Sequence, residues 1–89
     1  IERVLYTHPA VKEALVLGVP DARMGERPAA YVTLEEDAAQ VSGDTLLAWL
    51  NPQLGKHERV ASVSVRESLP KTMIGKLDRK ALRVELNAQ

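Results

Sequence analysis

Apolar and polar positions along the chain change their period several times, and each change predicts an element. Residues 1–7 carry apolar side chains at helical spacing up to the His8-Pro9 pair, where we expect a helix to end because the residue before a proline avoids the helical region. Residues 13–19 form a nearly continuous apolar run that predicts a buried strand. Residues 20–28 are polar and contain turn residues, so they predict a connection to a second strand over 29–34.

The second half of the chain continues in the same way. After a polar loop over 35–41, Ser42 and Asp44 can begin a helix. Its apolar side comprises Leu46, Leu47, Trp49, Leu50 and Leu54. Pro52 predicts a kink or a restart of that helix. Residues 60–65 alternate as a half-buried third strand does, and a last amphipathic helix is predicted for residues 78–86. The sequence therefore predicts an α+β fold, a small three-stranded sheet with helices packed on it.

Length and composition exclude several classes of function. The 89 residues make one small domain, and the lack of cysteine excludes a disulfide framework and a cysteine-based metal site. Twelve basic residues balance twelve acidic ones and only three residues are aromatic, which argues against a nucleic-acid-binding surface. The chain contains no run of about 18 apolar residues, so no transmembrane segment is predicted. The lack of cysteine also fits a reducing cytosol, so we expect a cytoplasmic protein. Because Ile1 already belongs to a predicted element, we expect the chain to be part of a longer protein.

Positive charge is concentrated in one segment of this neutral chain. Five basic residues and only one acid lie between positions 71 and 83. Lys76 follows Gly75 on a predicted turn between a strand and a helix, so its ammonium can reach an anion outside the domain. A Walker A phosphate loop is excluded, because it needs a glycine where Pro70 stands and a serine or threonine where Leu77 stands. By itself, a lysine after a glycine is more often a solvated surface charge than a binding residue.

Three ordered motifs resemble those of one enzyme family. Residues 70–79, Pro-Lys-Thr-x-x-Gly-Lys-x-x-Arg, look like the last signature of the adenylate-forming enzymes, which include acyl-CoA synthetases, adenylation domains of peptide synthetases and luciferases. Residues 8–21 and 25–32 resemble the opening and the next strand of the same family's small C-terminal domain. The resemblance implies that residues 1–89 are the mobile C-terminal domain of an AMP-binding acyl-CoA ligase. The hinge and the large N-terminal adenylation domain, which binds most of the ATP and Mg²⁺, would then lie upstream.

The resemblance assigns a catalytic role to Lys76. In the family, the lysine of this glycine–lysine pair reaches into the large N-terminal domain and contacts both the substrate carboxylate and the ATP phosphates during adenylation. A cation between these anions lowers their repulsion while the carboxylate attacks the α-phosphorus. Gly75 removes a side chain where the loop approaches the nucleotide, so we count it among the cofactor-binding positions. No metal ligand is predicted in this domain.

A second cationic segment resembles the part of the family that can contact the CoA nucleotide. Many members carry aromatic-Lys-Arg-Pro-Lys over positions 57–61, where this chain has His-Glu-Arg-Val-Ala. Arg59 keeps its charge, and together with Lys56 it is the candidate for binding a phosphate of CoA. Two lysines and the proline of the pattern are missing.

The other cations of the basic segment have two interpretations. Arg79 occupies the arginine position of the signature, where it either supports the loop or approaches a phosphate. Alternatively, it is a first-turn helix residue paired with Asp78 or Glu67. Lys80 and Arg83 are expected on the solvated surface of the last helix.

The form of the signature, Leu-Pro-Lys-Thr-Met-Ile-Gly-Lys-Leu followed by Arg-Lys-Ala-Leu, looks most like that of bacterial medium- to long-chain fatty-acid–CoA ligases. The implied reaction converts a fatty acid and ATP into acyl-AMP and pyrophosphate, and CoA then displaces AMP after the small domain reorients. The isolated domain would be inert. One alternative is an adenylation domain that loads an acyl or aminoacyl group onto a carrier protein. An alternative of another class is a small nucleic-acid-binding or interaction module that uses segment 71–83.

Overall fold

The computed structural model describes residues 1–21, 23, 25–38, 40–55 and 59–87 of the chain. The helices and strands are α1 (Glu2–Tyr6), β1 (Val11–Asp21), β2 (Gly25–Leu34), α2 (Gly43–Leu50), β3 (Val63–Val65) and α3 (Arg79–Asn87). One sheet has the order β1-β2-β3, with β1 antiparallel and β3 parallel to β2. The predicted α+β fold is confirmed. Within the described ranges, no helix has both the length and the apolar character that crossing a membrane requires.

The first two strands are longer than the sequence pattern predicts. They pair continuously as far as Asp21 and Gly25, so the predicted polar connection over 20–28 is wrong and only positions 22–24 separate the strands. Pro20 is tolerated because β1 is an edge strand of the sheet. Gly25 has a φ of +79°, which side-chain-bearing residues rarely adopt. These two strands form a long hairpin on which the rest of the domain is assembled.

The sheet separates two hydrophobic clusters, because alternate residues of β1 and β2 face opposite sides. The first cluster lies under α1 and α2, and its buried members are Leu5, Val11, Ala14, Ala30, Val32, Leu46, Leu50, Val60 and Val63. The second cluster lies under α3 and is smaller. Its buried members are Leu15, Leu17, Leu69 and Leu82, with Tyr31, Leu77 and Leu86 packed against them.

Local signals determine where α2 begins and ends. The Ser42 Oγ accepts the Thr45 N–H at 3.1 Å, which confirms the predicted start. After α2, a 3-10 turn over Asn51–Gln53 contains Pro52, and the predicted restart is confirmed. A Cβ added to Gly43 would lie 2.1 Å from the Val63 carbonyl oxygen, so this glycine allows α2 to approach β3 closely.

Candidate functional site

Residues 70–78 form a tight hairpin between the sheet and α3, and we call it the signature hairpin. At its base, Lys71 and Leu77 pair in an antiparallel bridge, and the Asp78 N–H donates to the Pro70 carbonyl oxygen at 2.9 Å. Asp78 also caps α3, since its Oδ1 accepts a backbone N–H three residues later at 3.0 Å. These bonds connect the base of the hairpin directly to the start of α3.

Lys76 lies directly after the turn of the signature hairpin. The Gly75 N–H closes this turn by donating to the Thr72 carbonyl oxygen at 2.9 Å. Thr72 also bonds to Lys76 twice, because its N–H donates to the Lys76 carbonyl oxygen at 2.7 Å and its Oγ1 accepts the Lys76 N–H at 3.3 Å. Gly75 has a φ of +86°, and a Cβ added there would meet no atom within 4 Å. Glycine is thus favoured by the backbone conformation, while the space beside it stays open.

The side chains at the tip of the signature hairpin are exposed. The Lys76 ammonium makes no ion pair or hydrogen bond with any described residue. Met73 and Ile74, which form the turn, are 105% and 79% exposed. The tip therefore exposes one cation and two apolar side chains.

The first leg of the signature hairpin is anchored to the sheet through Glu13. The Lys71 Nζ lies 2.7 Å from Glu13 Oε2, and the Thr33 Oγ1 donates to Glu13 Oε1 at 3.1 Å. The hydrogen bond from Lys71 lowers the pKa of the Glu13 carboxyl below its usual value, although partial burial acts in the opposite direction. Glu13 is therefore ionised at neutral pH and holds Lys71 as a charged pair.

Arg79 anchors the other leg. Its Nε donates to the Val16 carbonyl oxygen at 3.1 Å, and its guanidinium pairs with Glu2. Glu2 in turn accepts the Val16 N–H at 3.0 Å. The pairing of Arg79 with Asp78 or Glu67 that the sequence suggested is wrong, and the contacts fit the interpretation in which Arg79 supports the loop.

Neighbouring side chains also bind the edge strand β1. The Tyr6 hydroxyl accepts the Ala14 N–H at 3.1 Å, and the Arg83 Nη1 donates to the Gly18 carbonyl oxygen at 3.1 Å, on either side of the contacts at Val16. Side chains bound along an edge prevent it from pairing with another chain. Lys80 and Arg83 are both exposed, as predicted, and Arg83 in addition binds the sheet through the Gly18 carbonyl oxygen.

Arg59 lies in a different region. It is exposed and lines an open cleft of about 540 Å³ beside α2. The other described residues that line the cleft are Asp44, Leu47, Ala48, Asn51 and Pro52. The structure thus keeps Gly75 and Lys76 together on the hairpin but gives Arg59 separate surroundings. Lys56, its predicted companion, lies outside the described residues.

From the sequence, no function was assigned to two residues that fix the site, although one of them, Glu13, lies within the motif over residues 8–21. Glu13 and Glu2 hold the two legs of the signature hairpin. The available signal was weak, namely a single acid at the start of an apolar strand and another in a short helix. Glu2 and Arg79 are 77 positions apart in the chain, a separation that local periodicity does not reveal.

These features define a small α+β domain with an exposed cation, Lys76, on a loop that is anchored to the sheet at both legs. The sequence profile described as "AMP-binding enzyme C-terminal domain" matches residues 1–76, from α1 to the lysine of the signature hairpin. The chain therefore belongs to the family of C-terminal domains of AMP-binding, adenylate-forming enzymes, as the resemblance implied.

Similar curated proteins differ widely in what their names describe. The chain is 45% identical over 84 residues to a linear gramicidin synthase subunit of Brevibacillus parabrevis, and the match spans 94% of this chain and 1% of that protein. It is 40% identical over 77 residues to a feruloyl-CoA synthase of an Amycolatopsis species, and the match spans 86% of this chain and 16% of that protein. The chain thus spans a small fraction of the length of these relatives.

Solved structures show the same fold. The apo MatB structure from Rhodopseudomonas palustris superposes with a TM-score of 0.85 at 30% identity, covering 98% of this chain and 17% of that one. A Mycobacterium tuberculosis fatty acyl CoA synthetase superposes with a TM-score of 0.83 at 29% identity, with the same coverage of 98% and 17%. These similarities confirm the fold predicted from the resemblance.

Proposed function

We propose that this chain is the mobile C-terminal domain of a cytoplasmic, AMP-forming fatty-acid–CoA ligase, and that Lys76 is its catalytic residue. The observation that carries the proposal is the exposed ammonium of Lys76, which has no partner among the described residues, on a hairpin whose two legs are anchored to the sheet. The family match supports the enzyme class. The form of the signature and the similarity to a fatty acyl CoA synthetase support a fatty acid as the substrate.

In the first step, a carboxylate oxygen of the fatty acid attacks the α-phosphorus of ATP, the bond to pyrophosphate breaks, and acyl-AMP forms. The Lys76 ammonium would lie between the carboxylate and the phosphates, both presented by the large N-terminal domain, where it lowers their repulsion. A unit charge at about 4 Å contributes about 4 kcal/mol at an effective dielectric constant of about 20, which corresponds to roughly a thousandfold in rate. An ammonium suits this position because it is a compact point charge.

ATP and Mg²⁺ would be held mainly by the large N-terminal domain. Across the described part of this chain, no three His, Cys, Asp or Glu side chains are grouped so that they can hold a metal ion. We assign this domain a phosphate contact through Lys76, with Gly75 leaving room for the nucleotide.

In the second step, the CoA thiol attacks the carbonyl carbon of acyl-AMP, loses its proton and displaces AMP, which gives acyl-CoA. The small domain would reorient between the two steps. Arg59 is the candidate for a phosphate of CoA, with Lys56 as its companion, because its guanidinium is exposed beside an open cleft. An arginine can bind a phosphate through two parallel hydrogen bonds.

The 45% identity to the linear gramicidin synthase subunit favours a second candidate function. In this alternative, the same adenylation step is followed by transfer of an acyl or aminoacyl group to a carrier protein in place of CoA. Lys76 would have the same role, since both functions share the first step.

The substrate proposal is tested by pyrophosphate release from the complete protein. A panel of fatty, aryl and amino acids is offered with ATP and Mg²⁺, with and without CoA. We expect release with fatty acids, and acyl-CoA and AMP only when CoA is added. Release with amino or aryl acids without CoA turnover would favour the carrier-loading candidate, and no release with any acid would contradict both.

The role of Lys76 is tested by Lys76→Ala in the complete protein, with Lys80→Ala as the matched control. Both substitutions remove one exposed lysine charge, and the two positions are four residues apart. We expect Lys76→Ala to lower the adenylation rate by roughly a hundredfold to a thousandfold. Thioester formation from supplied acyl-AMP should change little, and Lys80→Ala should resemble the wild type in both half-reactions. Equal losses in both half-reactions of Lys76→Ala would contradict the assignment.

A further inference from the structure

We infer that Glu13 is a positioning residue for Lys76: it holds Lys71 at the base of the signature hairpin and thereby sets the direction in which the hairpin presents the Lys76 ammonium. This inference rests on the proposed function of Lys76. It assigns a role in adenylation to a strand residue that lies outside the signature itself.

Glu13 is fixed more firmly than an ordinary surface acid. It lies on β1 opposite Thr33, where the register shifts between Val11 and Glu13. Such bulges re-aim side chains, and here the Glu13 carboxylate meets the buried Thr33 hydroxyl, which donates to its Oε1 at 3.1 Å. The Glu13 side chain is 19% exposed. The Oε1 atom of Glu13 is thus bound by the Thr33 hydroxyl of the neighbouring strand, and the Oε2 atom points toward the signature hairpin, where it binds Lys71.

This Oε2 atom is connected to Lys76 by a short series of contacts. Glu13 Oε2 lies 2.7 Å from the Lys71 Nζ, and the Lys71 backbone pairs with Leu77 across the base of the hairpin. Leu77 is the residue directly after Lys76. A displacement of Lys71 therefore moves the strand of the hairpin that carries Lys76, because the tip is closed by its own hydrogen bonds and turns as a unit.

The anchor at Arg79 makes the role of Glu13 specific. Arg79 holds the second leg at Val16 and Glu2, next to the point where α3 begins. With this anchor and the packing of Leu69 and Leu77 in the smaller cluster, the hairpin keeps its position, but its exposed tip can still pivot about the start of α3. The Glu13–Lys71 pair supplies the second fixed point, so its loss should misalign Lys76 without releasing the hairpin. We therefore expect a partial loss of adenylation, smaller than the loss caused by removal of Lys76.

The test uses Glu13→Gln in the complete protein. Glutamine keeps the size of the side chain and an oxygen for the Thr33 hydroxyl, but it removes the charge that binds Lys71. We expect the kcat of pyrophosphate release to fall about tenfold, since a displacement on the order of 1 Å at a reacting group can lower a rate by up to about a hundredfold. The KM for ATP should change less than kcat, and thioester formation from supplied acyl-AMP should stay within about twofold of the wild type.

A matched control separates positioning from stability. Glu85→Gln breaks another ion pair of the domain, between Arg66 Nη2 and Glu85 Oε1 at 3.5 Å, which does not include the signature hairpin. This variant should retain both half-reactions. If Glu13→Gln loses both half-reactions equally, or behaves as Glu85→Gln does, the inference is wrong.

Lys71→Met provides a second approach to the same contact, in case Glu13→Gln folds poorly. The Lys71 side chain is 48% exposed, so its replacement disturbs little of the interior. It should reproduce the selective loss of adenylation, and the double variant should lose no more than either single one, because both remove the same interaction. Loss of both half-reactions together with a lowered Tm in both single variants would show a structural role and overturn the inference.

The Lys76→Ala variant, measured in the same series, distinguishes the two proposals. A selective adenylation defect in Lys76→Ala but not in Glu13→Gln would overturn the positioning role alone. No selective defect in Lys76→Ala would overturn the proposed catalytic role and, with it, the role of Glu13.

Discussion

The two faces of the sheet differ in how many apolar side chains they bury. Under α1 and α2, nine of the described residues form a buried apolar cluster, whereas four do so under α3. The smaller cluster is bordered by the ion pair between Glu13 and Lys71, which anchors the first leg of the signature hairpin. We conclude that the first face contributes most of the apolar burial that stabilises the domain. The second face buries fewer apolar side chains and carries a polar contact that orients the signature hairpin.

The largest effect that tests this comparison should come from truncating one leucine on each face. Leu46 and Leu82 are both fully buried, the former in the larger cluster and the latter in the smaller one. We expect Leu46→Ala to lower the free energy of unfolding by about 3–4 kcal/mol and Leu82→Ala by about 2–3 kcal/mol, since the smaller cluster can relax around the cavity. Hydrogen exchange of the domain's amides in the complete protein measures both values. Only Leu82→Ala should also impair adenylation selectively. If both variants affect the two half-reactions in the same way, the proposed difference between the two faces is wrong.

A smaller effect should distinguish two glycines that act in different ways. Gly43→Ala places a Cβ against the Val63 carbonyl oxygen, so α2 must move, and we expect a loss of about 2–3 kcal/mol in unfolding free energy. Gly75→Ala has open space but a φ of +86°, so we expect strain of about 1 kcal/mol. In half-reaction assays, Gly75→Ala should lower adenylation and Gly43→Ala should not. If Gly75→Ala lowers the free energy of unfolding more than Gly43→Ala does, the close contact between α2 and β3 does not make Gly43 essential for stability.

The smallest effect should come from acidification of the Glu13–Lys71 contact. Because the pKa of Glu13 is lowered in the folded protein, its ionised form favours folding. This contribution is present above the unfolded pKa of about 4.5 and is lost as the pH falls through the folded value below it. The difference in Tm between the wild type and Glu13→Gln should therefore shrink as the pH is lowered from about 6 to about 3. A difference that stays constant over this range would mean that the charge of Glu13 does not stabilise the domain.

Most of the secondary structure could be predicted because its signals are local. The Ser42 cap, the restart at Pro52 and the apolar run of β1 are each contained in a few consecutive residues. The length of the first hairpin could not be predicted in the same way. Its polar outer ends, around Pro20 and Gly25, resemble a loop in composition and become strands only because they pair with each other.

The sequence by itself determined the fold class, the family and the lysine proposed for catalysis, since the glycine–lysine pair and its flanking motifs are short and ordered along the chain. Only the tertiary structure decided which cations are used internally. Lys71, Arg79 and Arg83 bind partners on β1 or α1, whereas Lys76 has none among the described residues. The physical reason is that these partners lie far away in sequence, as the 77 positions between Glu2 and Arg79 show, and only the packing of α3 against the edge of the sheet brings them together.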